Sequence, residues 1–480
     1  MIYDVAIIGA GVIGGMVARE LSKYQLSVCL LEKDNDVAMG ATKANSGIVH
    51  GGYDPEPGTL KAKLNASGVS MLFEAAEQLH VPHKHNGSLV CAFGPEEEPA
   101  VDALYERGQI NGIPGLEVLT GDQARAIEPN LSQAVTKALH VTNAGIICPY
   151  ELTVAAVGNA MDNGAELRRN FKVAAIEWGD LFEVKAESGE TVRARRLVNC
   201  AGGYSDKIAA LCGDDFFEII PRAGEYMLLD KAEGARVTHT IFQTPSKEGK
   251  GILVTPTVDG NLLTGPTATR VATPESRDIT PEAIGVIQRL AAKSVPTVNF
   301  RQVITSFTGV RSSVAGGDFI IQPSDKMAGL VHAAAIDSPG LTCCVSIARY
   351  VVELLAGTGL QLTEKASWDG TRPDPHAFRK MDDEQKDAYI KNNPAYGKIV
   401  CRCETVSEGE IRAAIRQNPP AWDLDGVKRR TRSGMGRCQG GFCAPYVMAL
   451  LAEEHNVPME TITKYGGESR MLVGRIGEDK

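Results

Sequence analysis

Four cysteines near the C-terminal end, Cys401-x-Cys403 and Cys438-x4-Cys443, carry the densest chemistry in the chain. Only 34 residues lie between the two pairs. Four thiolates gathered in one short segment can hold a metal centre, and all-sulfur ligation suits iron–sulfur clusters or zinc. Structural zinc sites more often use wider pairs, so the single residue inside the first pair points to a 2Fe–2S centre. Structural zinc and a disulfide are the alternatives. A 2Fe–2S centre moves one electron at a time, so something else in the chain should supply electrons.

That source is legible at the opposite end. The apolar run Ile2–Ile8 leads directly into Gly9-Ala10-Gly11-Val12-Ile13-Gly14-Gly15. Such glycines permit a tight strand-to-helix turn and let a pyrophosphate approach the backbone at the helix N-terminus. A helical stretch runs to Ser22, and a second strand, Ser27–Leu31, ends in Glu32. A carboxylate at that place takes a ribose 2′-hydroxyl and repels a 2′-phosphate, which argues against NADP. The expected fold is α/β, a Rossmann-like doubly wound domain for a dinucleotide.

Composition narrows the class. The 480 residues suffice for two or three domains with sizeable cores. The first strand begins at residue 2, so no signal peptide is expected, and no apolar run reaches the roughly eighteen residues of a membrane span. Eleven cysteines suit a reducing compartment, and the expected location is the cytoplasm. A net charge of −9 disfavours nucleic acid as a partner. Residues 395–480 depart from that balance, with 13 basic against 11 acidic side chains. Within them Lys428-Arg429-Arg430-Thr431-Arg432 and Arg437 crowd the cysteines, as a solvated surface or as a docking face for an acidic redox partner.

The organisation read from the chain is a large unit over 1–365, a polar, proline-containing linker over 366–396, and a small helical unit over 397–480. Within the large unit, segments of roughly 85–145 and 220–300 lack a nucleotide pattern. Runs such as Gly251–Thr255 and Asn261–Thr264 read as antiparallel strands, so these segments form an inserted α+β substrate domain.

Resemblance adds detail. Ala41-Thr42-Lys43-Ala44-Asn45-Ser46-Gly47, Leu197–Cys200 followed by Ala201-Gly202-Gly203, and Leu330–Ile336 followed by Asp337-Ser338-Pro339-Gly340-Leu341-Thr342 resemble, in order, the flavin-contacting turns of the glycine-oxidase and D-amino-acid-oxidase superfamily. Residues 1–365 look like its glycerol-3-phosphate dehydrogenase and L-2-hydroxyglutarate oxidase branch. The cysteine region, with Arg429-Arg430-Thr431-Arg432 and Gly434-Met435-Gly436 before Cys438, resembles the bacterioferritin-associated-ferredoxin type of 2Fe–2S domain carried by anaerobic glycerol-3-phosphate dehydrogenases. The resemblance implies FAD held by Gly9, Gly11, Ile13, Gly14, Glu32, Lys33, Ala41, Thr42, Asn45, Ser46, Gly47, Val173, Ala201, Gly202, Gly309, Arg311, Asp337, Gly340, Leu341 and Thr342. It implies a cluster on Cys401, Cys403, Cys438 and Cys443. A helix from Thr342 to Leu355 would point its N-terminus at the flavin.

Oxidising an alcohol through a flavin needs a base for the hydroxyl proton. His50, just past the flavin-wrapping loop, is the leading candidate, with packing beside the ring as its other role. Arg311, whose string Phe307-Thr308-Gly309-Val310-Arg311 resembles the family's anion-binding motif, is the expected grip on a small anionic substrate. Arg222, Tyr226 and Arg270 are further substrate candidates. His332 reads as a satisfied core histidine, and His83 and His85 as loop positions. One departure divides the substrate readings. Glycerol-3-phosphate dehydrogenases usually place an arginine four residues after the histidine, where this chain has Asp54. The expected reaction is oxidation of glycerol 3-phosphate, with a 2-hydroxy acid, an imino acid, or a role as an electron-transfer subunit as alternatives. Electrons would leave to a redox partner protein or a second flavoprotein subunit, and peripheral membrane association is compatible with that.

Overall fold

The computed structural model describes residues 1–245 and 251–474, so part of the expected substrate segment, 246–250, lies outside the described residues. Strand Ile2–Ile8 is the centre of an eight-stranded sheet. It pairs in parallel with Val28–Leu31 on one side and Thr191–Asn199 on the other. Strands Glu166–Arg168 and Leu330–Ala334 continue the sheet in parallel on either flank. Alternation along the central strand builds two cores, because successive side chains of a strand point to opposite faces. Val5 and Ile7 meet the helices Val12–Leu21, Pro149–Asp162 and Cys344–Gly357. Ala6 and Ile8 meet Phe171, Phe182 and Val184 on the other face. The fold class is thus a doubly wound α/β sheet, as the glycine fingerprint implies.

A nine-stranded, largely antiparallel sheet takes its strands from 88–141 and 220–313. Its longest pairing joins Ile220–Leu229 to Val303–Ser313. A three-stranded sheet of Ile48–Val49, Gly145–Ile147 and His83–Lys84 connects the two and carries the chain into His50. His83 therefore sits on a short strand.

The C-terminal unit packs helices Glu408–Arg416, Leu424–Thr431 and Ala444–His455 around Val406, Ile411, Val427, Val447 and Leu451. Its helix starts are set locally. Ser407 and Glu410 form a capping box, and Asp423 accepts the Gly426 N–H. Residues 369–376 of the linker run along helix Pro149–Asp162, and Arg379 and Tyr396 further on pack against the C-terminal unit. Asn159 donates to the carbonyls of Asp369 and Thr371, Arg372 pairs with Asp162, and His376 Nε2 lies 2.7 Å from Glu151 Oε2.

Three arginines of the basic run belong to neither a solvated surface nor a docking face. Arg429, Arg430 and Arg432 are buried against the flavin unit. Arg429 and Arg430 share the carboxylate of Asp36, and Arg432 pairs with Asp259 and Glu404. Arg437 is exposed but pairs with Asp230. Each of these cations has its counter-charge within the chain, which a linear sequence does not display.

Candidate active site and cluster centre

A cavity of about 1200 Å³ opens between the two large sheets. Gly9, Gly11, Ile13, Glu32 and Lys33 line it from the first βαβ unit. Ala41, Thr42, Asn45 and Ser46 line it from the segment after the second strand, and Val173, Ala201 and Gly202 from the neighbouring strands. Asp337, Gly340 and Leu341 line it from the turn before helix Cys344–Gly357. That helix starts two residues later than the spacing predicts. Residues 341–343 are spent in a turn in which the Cys343 N–H donates to Pro339 O.

Four expected cofactor contacts stand behind this lining instead of in it. A Cβ on Gly14 would lie 1.9 Å from Gly9 O, one on Gly47 2.6 Å from Ile147 O, and one on Gly309 1.7 Å from Ala44 O. These glycines allow lining segments to bend and pack closely. Thr342 is fully buried, and its Oγ1 accepts the His50 N–H at 2.9 Å.

The cavity suits a dinucleotide. Gly11 supplies no side chain to cap helix Val12–Leu21, which leaves the first turn to an anionic group, while Thr42 Oγ1 accepts the Val12 N–H at 3.1 Å. Glu32 is buried, with Oε2 accepting the Ala10 N–H at 2.7 Å and Oε1 the Asp34 N–H at 3.0 Å. Burial, helped by the charge of Asp34, pushes its carboxyl up to about 7 despite those two donors. A ribose hydroxyl would add the donor that this acceptor lacks.

His50 also lines the cavity. Its Nε2 lies 3.2 Å from Ser338 Oγ, its carbonyl accepts from Asn65, and its ring faces Phe242 at 5.8 Å. Ser338 belongs to a turn legible in the sequence, but no local signal marks its hydroxyl as the histidine's neighbour. Lys61, also missed, lines the cavity and pairs with Asp337 at 2.6 Å.

Arg222 and Arg311 line the cavity from adjacent strands, directly opposite each other. Arg311 Nη1 donates to Thr267 O at 3.2 Å. Its guanidinium lies over Gly224, where a Cβ would come within 2.8 Å of it. Tyr226, stacked on Phe307, reaches Ser46 Oγ at 3.4 Å. Arg270 pairs directly with Arg222 from the short strand Thr269–Arg270 and is exposed and outside the cavity lining. Among the substrate candidates it alone is absent from the lining that includes Arg222, Tyr226 and Arg311. His332 is fully buried between Asp214 and Asn199, as a satisfied core histidine.

The four cysteines converge. Cys403 and Cys438 have their sulfurs 3.6 Å apart, far beyond the about 2.05 Å of a disulfide, and all eleven cysteines are free. The hydrogen bond from Cys443, then backbone N–H groups of Gly434, Glu404 and Cys403, bring the Cys401 thiol down to about 5 against the effect of burial. Burial opposes ionisation of Cys438, but the Phe442 N–H, the hydrogen bond with Cys403 and the N–H groups of Gly440 and Gly441 outweigh it and lower this thiol too, while the partner thiols Cys403 and Cys443 are raised. Sulfurs surrounded by N–H donors suit thiolate ligands of a cluster. Cys401 and Cys443 are buried, whereas Cys403 is exposed.

Residues 4–354 match the family described as FAD dependent oxidoreductase, and residues 399–453 the BFD-like 2Fe-2S binding domain. A glycerol 3-phosphate dehydrogenase of Caloramator mitchellensis is 44% identical over 472 residues, 98% of each chain. The mitochondrial L-2-hydroxyglutarate dehydrogenase of Homo sapiens is 32% identical over 283 residues, 55% of this chain and 61% of that one. The solved structure of an L-alpha-glycerophosphate oxidase from Mycoplasma pneumoniae, with FAD bound, superposes with a TM-score of 0.74 at 31% identity, over 78% of this chain and 98% of that one. The chain belongs to the FAD dependent oxidoreductase family, with FAD and a 2Fe–2S cluster as its cofactors.

Proposed function

We propose that this chain oxidises the secondary alcohol of glycerol 3-phosphate to dihydroxyacetone phosphate and passes the electrons through its cluster to an external acceptor. The observation that carries the reading is the likeness to a glycerol 3-phosphate dehydrogenase along 98% of both chains, across flavin unit and cluster domain together. Bound FAD would supply the hydride acceptor and the 2Fe–2S cluster the one-electron exit. His50, fixed through its main chain by Thr342 and Asn65, takes the hydroxyl proton on its ring, with Ser338 beside Nε2. Arg311 and Arg222 grip the phosphate, their forks suited to its oxygens. Gly224 gives the Arg311 guanidinium room to lie flat across the strand.

Electrons leave at the exposed edge of the cluster. Cys403 is open to solvent there, and Phe442, one residue before Cys443, is 89% exposed. That edge suits a redox partner protein or a second subunit. No helix among the described residues is long and apolar enough to cross a membrane, so any membrane contact of the helical kind would be peripheral. Eleven free thiols support a reducing compartment, the cytoplasm.

Asp54 favours a second reading. It lines the cavity at the position where glycerol-3-phosphate dehydrogenases usually carry an arginine, so an L-2-hydroxy acid is the competing substrate. Anaerobic mixing with glycerol 3-phosphate, L-2-hydroxyglutarate and an imino acid separates the two. Glycerol 3-phosphate is expected to bleach the flavin fastest, and His50→Ala to slow that step about 10²–10⁴-fold. Faster bleaching by L-2-hydroxyglutarate would transfer the assignment. No bleaching by any of the three would favour an electron-transfer subunit.

A further inference from the structure

The loop over residues 33–40 has two faces. Lys33, Asp34, Met39 and Gly40 line the cofactor cavity. Asn35 and Asp36 turn the other way, into the cluster domain. Asp36 accepts from Arg429 Nη2 at 2.5 Å and from both terminal nitrogens of Arg430 at 2.8 Å. Arg430 is itself pinned, donating to Pro419 O at 3.0 Å and Gly426 O at 2.9 Å. Asn35 donates to Asp423, which caps the helix carrying both arginines. Side-chain exposures of 5%, 0% and 1% for Arg429, Arg430 and Asp36 put the whole contact out of water.

The contact is two residues from the pyrophosphate turn. Val37 is fully buried in the core beneath helix Val12–Leu21. Ala38 takes a left-handed conformation, φ 62°, and its N–H donates to Ala10 O at 3.0 Å. Ala10 stands between Gly9 and Gly11. An ion pair buried this deeply gains little net stability over an apolar contact of the same shape. Its distinctive property is direction, since an arginine fork fixes the orientation of the carboxylate it holds.

We propose that Arg429 and Arg430 are positioning residues for FAD: the docked cluster domain, acting through Asp36, fixes the loop beside Glu32 that walls the cofactor cavity. FAD affinity and docking of the cluster domain are then one coupled equilibrium, and each strengthens the other by the same factor. The cluster domain completes the flavin site as well as draining it.

Hydrogen exchange on the full, cluster-loaded chain tests this without any substitution. Removing and restoring FAD should change exchange in helix Leu424–Thr431, none of whose residues lines the cavity, together with exchange in 33–40, with helix Pro281–Ser294 as control. Protection confined to 33–40 would overturn the proposal. Arg430→Gln should weaken FAD binding, read by flavin fluorescence, at least about tenfold. Arg430→Lys should fall between, because it keeps the charge but loses the fork. An FAD Kd within about twofold of the parent, in an Arg430→Gln protein that keeps its cluster absorption, would make the pair a structural staple only. Should that variant not fold, the exchange result on the parent chain decides.

Discussion

Two groups of arginines, equally basic in the sequence, have opposite roles. Arg429, Arg430 and Arg432 lie in one run and are buried, each paired with a carboxylate of the flavin unit or of the cluster domain. Arg222 and Arg311 are 89 positions apart in the chain yet face each other across neighbouring strands. Among the described residues neither has a carboxylate partner, and both line the cavity. A cation supplied with its own counter-ion holds structure together. A cation without one has its charge open to a ligand, the use proposed for Arg222 and Arg311. The run that looks like a recognition surface is largely internal, and the scattered pair lines the cavity, where the proposed function uses it to hold an anion.

The largest expected effect comes from breaking the buried group. Arg430→Ala leaves Asp36 facing a cavity with half its donors gone, and losing one partner of a buried pair costs about 3–5 kcal/mol. Denaturant unfolding should show that loss, whereas Arg311→Ala should stay within about 0.5 kcal/mol of the parent. Equal destabilisation by both substitutions would dissolve the contrast.

Next comes Arg311→Ala in catalysis. A hydrogen bond to a charged group contributes about 1.5–3 kcal/mol, so KM for glycerol 3-phosphate should rise roughly ten- to 150-fold. The rise should appear in KM more than in kcat, because the grip is made in ground and transition states alike. A change confined to kcat would place Arg311 at the reacting carbon instead.

A third difference is in pH. Burial would raise the Asp36 carboxyl, but Arg430 and then Arg429 outweigh it and hold it well below the usual carboxylate range. A depressed folded-state pKa contributes stability that is full above the unfolded value, about 3.9, and is lost as pH falls through the folded one. The melting gap between the parent and Asp36→Asn should therefore be flat from about pH 5 to 8 and close only in stronger acid. A gap that varies across neutrality would mean another group titrates with the pair.

The smallest effect is in salt. Raising ionic strength should increase KM for the phosphate substrate severalfold, since Arg222 and Arg311 meet solvent, and leave the Arg430→Ala melting gap unchanged. Matching salt dependence in both would show that the buried group is wetter than its side-chain exposure indicates.

Legibility followed the range of the interaction. The cysteine pairs and the glycine turn that leads to Glu32 are local devices, each confined to one stretch of chain, 401–443 and 9–32. The first points to a 2Fe–2S centre and the second to a dinucleotide, which the resemblance of the later turns narrows to FAD. Ser338 beside His50 is 288 residues away along the chain, and Lys61 pairs with Asp337 across 276. No local pattern encodes either pairing. Gly309 and Gly47, which the resemblance puts against the cofactor, are outside the cavity lining and pack closely on Ala44 and Ile147, a contact no local pattern encodes.

By itself the sequence determined the doubly wound α/β unit, a dinucleotide site and the cysteine set, because periodicity, turn chemistry and ligand spacing are properties of contiguous residues, and the resemblance of its later turns added FAD. Tertiary structure alone decided which arginines are neutralised and which stay available. Charge pairing depends on where carboxylates such as Asp36 and Asp259 come to rest, and burial, which removes competing water, decides how strongly each pair holds.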